Sequence, residues 1–164
     1  MNQIFREIKN NNYENCKYIL LDNHFQIHAR DKFNNTPLHL AVKNSNYDIC
    51  KLLLEFGADV NAYDEYGNRP LHIATQWIGR ASICKLLLDY GAFINAQNSS
   101  DNTSLHYASY KGFDDIVELL IDYNAKINIR NIFNKTPYDL FRSDEIKNIF
   151  KFRIRKYLIN LIDN

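Results

Sequence analysis

The chain has 164 residues, a formal net charge of +1 and an ordinary charged fraction of 24%. That length suits one domain with a normal core, and the near-neutral balance argues against nucleic acid or a membrane surface as partner. No apolar run approaches the ~20 residues of a membrane span, and Met1 to Glu7 lack the basic and apolar stretches of a secretory signal, so an intracellular protein is expected.

In residues 1–30, Ile4, Phe5 and Ile8 begin a first helix and Cys16 to Leu21 form a second. Polar Asn10-Asn11-Asn12 separates them, and Ile27-His28-Ala29 closes the unit. Residues 31–63 then set out a fuller pattern. Asp31 to Asn35 read as a turn, with Asn34 where φ > 0 is needed. Thr36 caps a helix that has Pro37 at its first position, where a missing N–H is harmless. Leu38, Ala41 and Val42 form its apolar stripe. Asn44-Ser45-Asn46 break the chain before a second helix, about Tyr47 to Phe56, which buries Ile49, Cys50, Leu53 and Leu54. Gly57 ends it in the left-handed conformation. Ala58 to Tyr63 read as a return strand.

The same pattern recurs about every 33 residues. Thr36-Pro37-Leu38-His39 is echoed by Arg69-Pro70-Leu71-His72, Thr103-Ser104-Leu105-His106 and Thr136-Pro137-Tyr138-Asp139. Leu52-Leu53-Leu54 with Gly57-Ala58 is echoed by Leu86-Leu87-Leu88 with Gly91-Ala92, and by Leu119-Leu120-Ile121 with Asn124-Ala125. Gly67, Asp101 and Asn134 take the turn position of Asn34. Three departures stand out. Arg69 replaces a capping Thr, which should weaken that helix start by ~1 kcal/mol. The third unit carries one extra residue near Trp77-Ile78-Gly79-Arg80. In the last unit Asp139 replaces the His, and beyond Phe141 a further helix is expected. Its apolar positions run from Ile146 through Ile154 to Leu161, with Lys147, Lys151 and Arg155 opposite.

From about residue 4 to 150 these phrases resemble the ankyrin-repeat family. The resemblance implies an all-α solenoid of helix–turn–helix units with short β-hairpin loops. It forms a single domain over 1–164. Residues 1–30 would be an N-terminal capping repeat, 31–63, 64–97 and 98–130 full repeats, and 131–164 a last repeat with a C-terminal capping helix. It also makes His39, His72 and His106 structural residues that bond the capping Thr and nearby backbone. Asn61, Asn95 and Asn128 resemble family positions acted on by an asparaginyl hydroxylase, although bracing the hairpin is the simpler role.

Little in the chain points to chemistry. Cys16, Cys50 and Cys84 are one repeat position seen three times, too far apart for a disulfide and without mixed neighbours for a metal; they read as buried thiols. No phosphate loop, nucleophile elbow or zinc helix occurs. A non-enzymatic monomer with no cofactor or metal is therefore expected. The resemblance implies that a protein partner docks on the concave side, built from hairpin tips and first helices. Carried over by position, that side comprises Lys32, Phe33, Asn35, Glu65, Tyr66, Asn68, Phe133 and Lys135 at the tips. The helices add Lys43, Gln76, Trp77, Tyr110 and Lys111. The 22 asparagines, with abundant Ile, Tyr and Lys, suggest AT-rich codons, as in a large DNA virus, an intracellular bacterium or a protozoan parasite. The partner would then belong to a host cell and the site of action would be the host cytoplasm, with the nucleus open. The alternative is an adaptor that recruits a ubiquitin ligase through the C-terminal helix, whose Lys151 to Lys156 interleave basic and apolar residues.

Overall fold

The computed structural model describes residues 2–142 together with 144, 147, 148 and 151. The expected C-terminal capping helix, its basic face and the adaptor reading built on it lie largely outside the described residues. Helices follow in pairs: α1 (Gln3–Lys9) and α2 (Tyr13–Asp22), α3 (Pro37–Lys43) and α4 (Tyr47–Glu55), α5 (Pro70–Ala74) and α6 (Ala81–Asp89), α7 (Ser104–Lys111) and α8 (Asp114–Asp122). The short α9 (Pro137–Leu140) opens the last unit, and a 3-10 turn spans His24–His28.

The pairs stack into two layers. First helices α1, α3, α5, α7 and α9 lie each against the next, and second helices α2, α4, α6 and α8 do the same. Between the layers, Leu38, Ile49, Leu53, Leu71, Leu87, Leu105, Ile116 and Leu120 are fully buried. Each contributes about 1.5–3 kcal/mol. No single pair can cover its own apolar stripe, so the core exists only as a stack. Cys16, Cys50 and Cys84 are free and buried within it. Burial pushes the Cys50 and Cys84 thiols up to about 12 and Cys16 up to about 11, which removes thiolate reactivity. In α2 and the 3-10 turn after it, Tyr18, Leu21 and Phe25 are exposed.

The turn residues sit as their types require. Asn34, Gly67, Asp101 and Asn134 have φ between 56° and 72°, and Gly57, Gly91 and Asn124 end their helices at φ between 64° and 84°. A further left-handed position, between the two helices of each pair, holds Asn11, Ser45, Gly79 and Gly112. Among the described residues there is no strand. The segment expected as a return strand, Ala58 to Tyr63, is a turn, with Ala62 N–H bonded to Asp59 O at 3.2 Å. The hairpins are fingers joined side by side by Glu65 N–H to Phe33 O, Ser99 N–H to Tyr66 O and Ile132 N–H to Ser100 O, at 3.0–3.2 Å. One such bond per junction is too few for a ladder.

Gly67 is held by more than its φ. A Cβ there would lie 2.9 Å from the Ser99 backbone nitrogen and 3.0 Å from its hydroxyl, whereas one at Gly91 would meet nothing within 4 Å. Both share the left-handed strain, so Gly67→Ala should lose about 1–3 kcal/mol and Gly91→Ala less. Urea denaturation of the two variants makes the comparison. Equal losses would show that the close approach of adjacent fingers is immaterial.

Candidate functional site

Each finger is held by one side chain at its base. Asp31 Oδ1 accepts from Phe33 N–H and Asn35 N–H, both at 2.9 Å. Asp64 repeats this with Tyr66 and Asn68 at 2.8 Å. Asn98 does so with Ser100 and Asn102 at 3.0 Å, and Asn131 with Phe133 and Lys135 at 3.0 and 3.1 Å. These are Asx turns, in which a short polar side chain replaces a backbone acceptor. Burial works to raise the Asp31 carboxyl, but the hydrogen bonds from Asn35 and Phe33 hold it below the ordinary range. The bases are also linked to one another. Asn98 Nδ2 donates to Asn68 Oδ1 at 2.7 Å, and Asn131 Nδ2 to Asn102 Oδ1 at 2.8 Å.

The repeated His ties each first helix to the following finger. Its Nδ1 accepts from the backbone N–H of Thr36, Arg69 or Thr103 at 3.0–3.2 Å. Its Nε2 faces carbonyl oxygens only: Asn68 O for His39, Ala96 O and Asn102 O for His72, and Lys135 O for His106, at 3.0–3.1 Å. Carbonyls only accept, so the ring is neutral with its proton on Nε2. Burial drives His72 down to about 4 and lowers His39 and His106. Asp139 takes over at the last unit, where its Oδ2 accepts from Thr136 N–H and hydroxyl at 2.9 Å. At Arg69 the His contact survives the loss of Thr, while the guanidinium lies between the Tyr63 and Phe93 rings and donates to Asn61 O.

Fingers and first helices together frame one face. Phe33, Tyr66 and Phe133 occupy equivalent finger positions and are exposed by 45, 62 and 71%. The third finger places Ser100 there. Two clefts open on this face. One, of about 410 Å³, is lined by Phe5, Lys9, Arg30, Lys32, Phe33 and Leu40 among others. The other, of about 320 Å³, is lined by Tyr107, Tyr110, Phe133, Lys135 and Leu140 among others. Lys32 lies over the Phe33 ring at 4.7 Å, and Arg142 over the Tyr110 ring at 4.9 Å.

Of the residues expected on this face, Lys32, Phe33, Lys43, Glu65, Tyr66, Tyr110, Lys111, Phe133 and Lys135 are exposed, and Gln76 is half-buried. One expectation needs correction. Asn68 is buried and its amide is committed to Asp64 and Asn98. Asn35 is half-buried and donates to both Asp31 oxygens. Asn68 joins its finger to the next with both amide atoms engaged, whereas Asn35 braces its own finger. Trp77 is 56% exposed over the Arg80 guanidinium, and lines neither cleft. Asn61 and Asn95 brace adjacent units. Asn61 donates to Gly91 O and accepts from Phe93 N–H, and Asn95 accepts from Lys126 N–H.

Sequence reasoning missed Phe5 and Tyr107 as cleft walls and missed Arg80 altogether. The recurring Asp31, Asp64, Asn98 and Asn131 could have revealed the finger bases, since they keep the period. Arg80 takes the N-cap position held by Asn12, Asn46 and Phe113 in the other units, so the period does not announce an arginine there. Among the described residues no cluster of His, Cys, Asp and Glu could hold a metal, and no helix is long and apolar enough to cross a membrane.

Comparison with known proteins agrees with this architecture. The chain matches a family model described as ankyrin repeats (3 copies) over residues 4–98, and a second, ankyrin repeats (many copies), over residues 79–141. It is similar to the ankyrin repeat protein FPV233 of fowlpox virus (strain NVSL), 53% identical over 45 residues, which is 27% of this chain and 9% of that protein. It is also similar to the serine/threonine-protein kinase VIK of Arabidopsis thaliana, 57% identical over 35 residues, 21% of this chain and 8% of the kinase. The matched stretch is thus under a tenth of either relative's length.

Proposed function

We propose, since this chain belongs to the ankyrin-repeat family, that it acts by holding a protein partner against the face made by its fingers and first helices. Ankyrin repeats are generally protein–protein interaction modules, and the family is typically non-enzymatic. The observation that supports the assignment to this face is the row of exposed rings at one repeat position, Phe33, Tyr66 and Phe133. Exposed aromatic side chains beside Lys are the composition of an interface centre. The fingers beneath them are rigidly bonded, so docking would need little reorganisation. Function would follow from occupancy, by blocking, sequestering or bridging the partner. The likeness to a fowlpox virus protein and the abundance of Asn, Ile, Tyr and Lys support a host-cell protein as that partner and the host cytoplasm as the place of action.

The test is a quantitative pull-down from eukaryotic lysate, comparing wild type with Phe33→Ala/Tyr66→Ala/Phe133→Ala. The rings are exposed, so circular dichroism should be unchanged. Capture of a wild-type partner should fall about tenfold or more. Equal capture by the folded variant would move the site off this face.

A further inference from the structure

The near-zero net charge conceals a division of charge between the two layers. Of the second helices, α2, α4 and α8 are net acidic and α6 is balanced. The last of them, α8, carries Asp114, Asp115, Glu118 and Asp122 with no base. In α4 and α6 the bases are matched within the helix, Lys51 by Glu55 at 3.9 Å and Lys85 by Asp89 at 2.8 Å. The finger-and-first-helix face has the opposite character. It exposes Lys32, Lys43, Lys111 and Lys135 against Glu65, Asp101 and Asp139, with Asp31 half-buried. Among the described residues none of those four lysines joins an ion pair. The two clefts sit near opposite ends of this face and pair apolar with basic residues: Phe5, Phe33 and Leu40 with Lys9, Arg30 and Lys32 against the one acid Asp31, and Tyr110, Phe133 and Leu140 with Lys135.

From this we infer that the face takes an acidic polypeptide segment that carries two bulky apolar side chains, one for each cleft. The inference rests on the proposed binding face and specifies the chemistry of what docks there. Charge complementarity selects acidic over basic partners and steers their approach. The clefts supply the apolar anchoring that charge alone lacks. Three units separate the Phe33 finger from the Phe133 finger. At packed-helix spacings of about 8–10 Å per unit, the anchors lie roughly 30 Å apart. An extended chain covers that in about nine residues. A polynucleotide fits less well. Its charges are dense and regular, whereas four lysines spread along this face cannot track them.

The experiment uses the full chain and fluorescein-labelled synthetic peptides, read by fluorescence anisotropy. The first peptide is Asp/Glu-rich with two Phe nine residues apart. The others replace both Phe by Ser, or every acid by Lys. The Phe-bearing acidic peptide should bind about tenfold or more tighter than either control, and its affinity should fall about fivefold or more from 50 to 300 mM salt. Lys32→Glu/Lys135→Glu, at two exposed positions, should weaken it about tenfold or more. Equal affinity for all peptides, a salt-independent signal, or tighter binding of a dT20 oligonucleotide would overturn the assignment. If these peptides fail while the triple ring variant still loses its lysate partner, the acidic chemistry is wrong and the binding face stands. If both fail, both fall.

Discussion

Arg80→Ala is expected to destabilise the stack by about 2–4 kcal/mol. Arg80 stands where the third repeat carries its extra residue, in the loop between α5 and α6. Its side chain is buried, and its guanidinium donates to Ser45 Oγ at 2.8 Å, Lys43 O at 2.7 Å and Ile73 O at 3.4 Å. Two of these acceptors belong to the preceding repeat. The insertion is therefore stitched to its neighbour by one cation whose partners are a hydroxyl and backbone carbonyls, with no carboxylate among them. Removing the side chain strands those acceptors and leaves a space, and Lys cannot reproduce the fork. Trp77, resting over the same guanidinium but largely exposed, should lose under about 1 kcal/mol when truncated. Urea denaturation of both variants decides the matter. An Arg80→Ala variant within about 0.5 kcal/mol of wild type would mean that the stitch contributes nothing.

Acid should also unfold the protein well above the range in which carboxylates titrate. In the unfolded chain the His72 ring takes up a proton as the pH falls through about 6.5. In the folded chain burial holds it neutral until about 4. Across that window the unfolded state binds more protons, so the contribution is complete above pH 6.5 and is lost as the pH falls toward 4. For His72 the loss is about 3 kcal/mol. His39 and His106, also lowered by burial, act in the same direction. Asp139, whose hydrogen bonds from Thr136 hold its carboxyl below the ordinary range, loses its contribution only at lower pH. Unfolding by urea at pH 7.5, 6 and 4.5 should show the decline, and His72→Gln should flatten its slope. A wild-type profile flat from pH 7.5 to 4.5 would mean that the buried rings titrate as free ones do.

Much of the fold was legible because local chemistry and global period agree. Pro37 after Thr36, the Leu runs and the left-handed stops at Gly57, Gly91 and Asn124 each mark an element, and each recurs. Ala58 to Tyr63 was misread as a strand because a short segment does not reveal how many bonds its neighbour will share. Asn35 and Asn68 look like surface residues in a one-dimensional reading. Each amide donates to the carboxylate four residues earlier, and only the stack shows that Asn68 also accepts from Asn98 of the next finger. Arg80 defeated prediction because a buried guanidinium satisfied by carbonyls has no sequence partner to announce it. The clefts were hidden for a related reason. Phe5 and Phe33 come from different units and meet only once α1 packs on α3.

The Asx turns at the finger bases divide labour along the chain. Asp31, Asp64, Asn98 and Asn131 clamp the backbone of the residues two and four positions on, and the clamp makes no demand on the side chains of the intervening tip. Lys32-Phe33, Glu65-Tyr66, Ser99-Ser100 and Ile132-Phe133 accordingly sit on one frame although their first residues share no chemistry. Each tip behaves as a two-letter word in a fixed slot, and the stack reads as a line of four such words. Recognition can be rewritten one word at a time without disturbing the grammar that keeps the line straight.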